Sequence, residues 1–102
     1  MDPNEKLKVV LDCIADNGGI GGQPNIDSLI AKCRKDPGSL SQSEFFQLQS
    51  VHLAYFYPVD MSTWTANEDD LWNCIADGLG FTAGPPVPGW FNQGVDLGTV
   101  IA

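Results

Sequence analysis

The stretch Pro3-Asn4-Glu5-Lys6-Leu7-Lys8-Val9-Val10-Leu11-Asp12-Cys13-Ile14-Ala15-Asp16 decides the fold class. Leu7, Val10, Leu11 and Ile14 recur at i, i+3, i+4 and i+7, the spacing that lines one face of an α-helix. Asp2 is placed to cap the first turn, and Pro3 takes the first helical position, where a missing N–H does no harm. Asp16-Asn17-Gly18-Gly19 ends the helix, because glycine adopts the left-handed C-terminal conformation without a Cβ penalty.

Three more helices follow from the same logic. A glycine-rich connection leads to a helix over about 26–35, with Ile26, Leu29, Ile30 and Cys33 on one face, stopped by Asp36-Pro37-Gly38. The third has the strongest local signal. Ser41 and Glu44 form a capping box, and Leu40 and Phe45 take the two positions of a hydrophobic staple. It is expected over about 42–56, burying Phe45, Leu48, Val51 and Tyr55, with Pro58 as its stop. The fourth is expected over about 66–77, with Thr65 and Glu68 as a second capping box and Leu71 and Ile75 inward. Cys13-Ile14-Ala15-Asp16 recurs as Cys74-Ile75-Ala76-Asp77; a glycine-capped last turn used twice accounts for this without a duplication.

The expected fold is therefore all-α: a small four-helix domain over residues 1–83, followed at 84–102 by an extended, apolar, Pro/Gly-rich C-terminal arm. After Gly78 the chain carries a single charge, Asp96, but three prolines and a set of large apolar residues. Disordered tails are normally charged and poor in aromatics. The arm is thus expected to be ordered, against its own core or against a partner.

Composition speaks to partners. All five basic residues (Lys6, Lys8, Lys32, Arg34, Lys35) lie in the first 35 positions, and the net charge is −8. The residues after Lys35 carry eight acids, one histidine and no lysine or arginine. Charged residues make up 18% of the chain, against a typical ~25%. At that typical fraction the acids after Lys35 are ordinary in number, so the anomaly is missing cations rather than surplus anions. Much of the surface must then be uncharged, which suits a surface covered by another chain.

No apolar run approaches the ~20 residues of a membrane span, and the first residues lack a signal-peptide pattern. Cys13, Cys33 and Cys74 are odd in number and form no CxxC pair, which argues against a disulfide framework. A reduced, cytoplasmic protein, or part of a virion, is the corresponding expectation.

Motifs with chemistry are scarce. Cys13, Cys33, His52 and Cys74 match a zinc ligand set in number, but their wide spacings do not match the close pairs of structural zinc sites. They read instead as buried thiols and a helix-edge histidine. No cysteine sits in an electropositive setting that would make a Cys–His nucleophile pair with His52. Gly18-Gly19-Ile20-Gly21-Gly22 lacks the preceding strand and terminal lysine of a phosphate loop, and the oxygen ligands of a calcium loop. No catalytic residue, metal or cofactor is expected.

Glu68, Asp69 and Asp70 form the densest acidic cluster. First-turn acids favour the helix dipole, which explains them structurally; in a protein that mimics nucleic acid they would stand in for phosphates. Trp64 and Trp72 read as core or near-core residues. Trp90 and Phe91, with Val87, lie where a Pro-Gly turn presents them to a partner. The expected function is a non-enzymatic protein–protein interaction or assembly module, such as a small component of a phage, viral or bacterial assembly. It acts through a protein partner or self-association, with no direct nucleic-acid contact. One alternative is an acidic inhibitor occupying a basic nucleic-acid-binding surface. Another is a small enzyme using His52.

Overall fold

The computed structural model describes residues 1–17, 24–56, 64–80 and 96–101. Its elements are α1 (Pro3–Asp16), α2 (Pro24–Lys35), α3 (Gln42–Gln49), α4 (Trp64–Leu79) and α5 (Leu97–Ile101), with 3-10 turns at Pro37–Ser39 and Leu53–Phe56. The domain is all-α, and among the described residues β pairing is confined to one isolated bridge between His52 and Asp96. The glycine run at 18–22 and the segment 81–95 lie outside the described residues.

Helix α1 forms as its pattern dictates. The Asp2 carboxylate accepts from the Glu5 N–H at 2.8 Å, and Leu7, Val10, Leu11 and Ile14 are all buried. At its end, the Cys13 carbonyl accepts both the backbone N–H and the side-chain amide of Asn17. Helix α2 starts two residues earlier than the spacing implies, at Pro24. It buries Cys33 fully and Ile26, Leu29 and Ile30 in part.

Helix α3 has both bonds of its capping box. The Glu44 N–H donates to Ser41 Oγ at 3.1 Å and the Ser41 N–H to Glu44 Oε1 at 2.9 Å. The helix is shorter than expected, ending at Gln49 instead of reaching 56. Ser50 turns its hydroxyl back onto the Phe46 carbonyl, a habit that weakens helix continuation. The Val51 carbonyl, which a longer helix would use internally, accepts the Leu97 N–H at 3.2 Å. The C-terminal segment thus takes over the backbone groups that end the helix, and Tyr55 falls in a 3-10 turn with its hydroxyl donating to Asp27 at 3.2 Å.

Helix α4 begins at Trp64, so Thr65 lies within it and is not its cap, and Glu68 lies beyond the first turn. Leu71 and Ile75 are fully buried, as the spacing implies. Gly80, at φ +78°, closes the helix by donating to the Ala76 carbonyl at 2.9 Å, a left-handed position that glycine suits.

One expectation is corrected here. Cys13 and Cys74 are not free thiols but form a disulfide, with Cα atoms 5.7 Å apart. Packing of α4 on α1 brings them together across a separation of 61 residues, which no local spacing reveals. The expectation of a reduced compartment rested on unpaired cysteines and loses that basis. At the end of the C-terminal arm the described residues are helical. Residues 97–101 form a helical turn capped by Asp96, whose carboxylate accepts the Thr99 N–H and hydroxyl at 2.8 and 2.9 Å.

Leu97 and Ile101 of that turn enter the same core as Leu7 and Leu48. Gly98 lets it approach α3, since a Cβ there would lie 3.3 Å from the Gln49 carbonyl oxygen. Truncating Leu97 to alanine should therefore lower unfolding free energy by about 2–5 kcal/mol, read as a lower urea midpoint at unchanged slope. An unchanged midpoint would place the turn outside the core.

Candidate functional site

Among the described residues the exposed large apolar side chains are Met1 and, on helix α3, Phe46. Phe46 is 48% exposed, whereas Leu48 on the opposite side is buried. The helical period explains the split. Phe45 and Leu48 fall on the core face, while Gln42, Phe46 and Ser50 form an i, i+4 row that points away from it. The Phe45 and Phe46 rings meet edge to face with centroids 5.9 Å apart, so the core and the exposed ring are continuous.

Phe46 stands as a ridge between two shallow depressions. One is lined by Gln42, Ser43, Gln47 and Ser50, the other by Pro3, Asn4, Leu40, Ser41 and Phe45. None of these residues is charged. The charge that α3 does carry, Glu44, is neutralised across the helix pair by Lys32, whose Nζ lies 2.8 Å from Oε1. The Lys32 hydrogen bond, with the Ser41 N–H, holds the Glu44 carboxyl below the usual range. An apolar centre with a neutral polar rim is the composition expected of a protein contact.

The basic residues are largely committed elsewhere. Asp12 binds both Lys8, one turn back on α1, and Arg34 of α2, whose Nε lies 2.7 Å away. Partial burial pushes the Asp12 carboxyl up, but the hydrogen bonds and charges of Lys8 and Arg34 outweigh it and hold it low. This bridge ties α1 to α2 and leaves a lined depression beside Asp16 and Lys35 with charges of both signs.

The sequence-derived candidates are distributed as follows. Trp90, Phe91 and Val87 lie outside the described residues. Asp69 and Asp70 are exposed on α4, and Glu68 lies in the same helix with its side chain outside those described. Because α4 starts at Trp64, the three acids sit in its second turn, where the dipole argument for them fades. Trp72 is half-buried against the core.

The Cys–His candidates do not converge. Cys13 and Cys74 are bonded to each other, and Cys33 is fully buried with its thiol 3.9 Å from the Asn4 carbonyl. Burial, reinforced by Asp12, pushes the Cys33 thiol up to about 11. His52 pairs instead through its backbone with Asp96. Asp96 is held below the usual carboxylate range by the Thr99 N–H and hydroxyl and, more weakly, by the His52 charge. Among the described residues no three metal-ligating side chains gather, and no helix is long and apolar enough to cross a membrane.

Phe46 was not among the residues singled out from the sequence, although its signal was there: it lies one residue off the Phe45–Leu48 face. Comparison with protein-family models, with curated proteins and with solved structures yields no match for this chain.

Two consequences are measurable. Asp12, Glu44 and Asp96 all have lowered folded-state values, so the stability they add is present above the unfolded value and lost as pH falls through the lower folded ones. The melting temperature should be level above about pH 5 and drop below about pH 4, and Asp12→Asn should make that drop shallower, with a loss near pH 7 of about 0.5–1 kcal/mol. Separately, Cys33 should react with iodoacetamide at pH 8 at least about 100-fold more slowly in the native protein than in urea; similar rates would contradict its burial.

Proposed function

We propose that this chain is a non-enzymatic protein–protein interaction or assembly module whose contact face is the outer side of α3. The observation that carries this reading is Phe46, an exposed aromatic ridge flanked by depressions lined only with uncharged residues. Aromatic anchors of this kind dominate binding energy, and a neutral rim lets a strongly acidic chain meet another surface without opposing like charges. The scarcity of charge across the whole chain supports the same reading.

The test places a photo-crosslinking residue at position 46 and, as a control, at exposed position 69, in the chain expressed in its native source. Adducts specific to position 46, whether to a second copy or to another protein, are expected, and Phe46→Ser should reduce co-purification or self-association about tenfold or more. Equal crosslinking from both positions, or none from 46, would reject the α3 face. Deleting residues 84–102 is a poorer test, because it also removes Leu97 and Ile101 from the core.

A second reading, an acidic inhibitor of a basic surface, draws support from Asp69 and Asp70. Both are exposed, lie beyond the first turn, and belong to a part of the chain without a single cation. Added salt separates the two, since binding through α4 acids weakens steeply with ionic strength and binding through Phe46 does not.

A further inference from the structure

The seam between α1 and α4 is joined at two levels. Cys74 is bonded to Cys13, and one turn further along α4 a Cβ on Gly78 would run into Val9. Cys74 to Gly78 ascends α4 while Cys13 to Val9 descends α1, so the helices run antiparallel and the two Cys-Ile-Ala-Asp segments extend in opposite directions from the disulfide. Helix α1 is the described helix on which α4 packs extensively. The remaining elements close without it: α1 packs on α2, α5 and the Pro37–Ser39 turn, and α3 on α2 and α5. Among the described residues no ion pair ties α4 to the other helices.

The cysteines differ in access. Cys13 is 4% exposed, Cys74 is only half-buried, and Cys33 is wholly enclosed. Cys33 lies against Asn4, about nine residues and ~13 Å along α1 from Cys13. Disulfide formation needs Cα atoms within about 7 Å, so Cys33 is out of range of the pair.

We propose that the Cys13–Cys74 disulfide is a redox-controlled clasp, opened by a dithiol reductant, that releases α4 from α1 while α1, α2, α3 and α5 stay assembled. A thiolate of the dithiol attacks Cys74 Sγ, the more accessible sulfur. The S–S bond breaks and Cys13 Sγ leaves as a thiolate that takes up a proton. The second thiol of the reductant then attacks the mixed disulfide, freeing Cys74 as a thiol. Two electrons and two protons pass to the protein, and the dithiol becomes a disulfide. Release exposes Leu71 and Ile75 of α4 together with the side of α1 they cover, an apolar surface hidden in the oxidised form. Reoxidation by a small-molecule disulfide, which accepts the two electrons and two protons and leaves as two thiols, restores the same pair, because Cys33 is distant and its thiol stays protonated.

The test is hydrogen exchange on the full chain with and without dithiothreitol, after non-reducing alkylation in urea and intact mass on a separate sample have counted the free thiols. One free thiol is expected in the oxidised protein and three after reduction. On reduction, amides in 69–80 should exchange at least about tenfold faster while those in 7–14 and 45–49 stay protected. The Cys13→Ser/Cys74→Ser variant should match the reduced protein without reagent; should it fail to fold, the reduction experiment on the unaltered chain decides alone. Three free thiols in the oxidised protein, unchanged exchange in 69–80 on reduction, or simultaneous loss of protection in every helix would each overturn the clasp.

Discussion

Burial of the α1 stripe is the constraint on which the rest of this domain depends. Leu7, Val10, Leu11 and Ile14 are withdrawn from water almost completely, and each side of that stripe is covered by a different element. Helix α2 and the Pro37–Ser39 turn cover one flank, α5 and α4 the others. Fully burying each such side chain contributes roughly 1.5–3 kcal/mol, so the hub outweighs any single polar contact in the molecule. The disulfide acts on the same hub. Closing a 61-residue separation removes unfolded-state freedom worth about 4 kcal/mol in the chain-entropy picture. One covalent link therefore stabilises about as much as two buried leucines, and it acts at the seam where α4 packs on α1.

The electrostatics follow from where the cations stop. Every lysine and arginine lies in the first 35 residues, and the ion pairs among the described residues lie around α1, α2 and the start of α3. Lys8, Arg34 and Lys32 are used there, on Asp12 and Glu44. The consequence is a division of the surface. The outer side of α3 is left neutral, with Phe46 at its centre, while α4 presents Asp69, Asp70 and Asp77 with no countercharge in its own part of the chain. The two surfaces differ in chemistry, one uncharged with an apolar centre and the other acidic.

Local features of the fold were legible without tertiary information. The Asp2 cap, the Ser41–Glu44 capping box, the α1 stripe and the inward pair Leu71 and Ile75 depend on neighbours within four residues, and all are present. Where α3 departs from its local pattern, a distant segment is responsible. Helix α3 stops early because Leu97 claims the Val51 carbonyl and Gly98 sits against Gln49. Tyr55, expected on the buried face of a longer helix, reaches Asp27 of α2 instead. The candidate surface was half legible: the period of α3 places Phe46 outward and the staple places Leu40 beside it, but its neighbours Pro3 and Asn4 come from a part of the chain that only folding brings near.

By itself, then, the amino-acid sequence determined the helical class, the positions of four helices and the residues that face inward, because those properties are set by a 3.6-residue period and by caps that act over one turn. It also determined the charge asymmetry, which is a matter of order along the chain. Tertiary structure alone decided that Cys13 pairs with Cys74 and leaves Cys33 enclosed, that the last residues return to the core as a capped turn, and that an uncharged aromatic ridge is assembled from α1 and α3. Each of these joins residues tens of positions apart, and their proximity follows from which faces are buried together rather than from any local spacing.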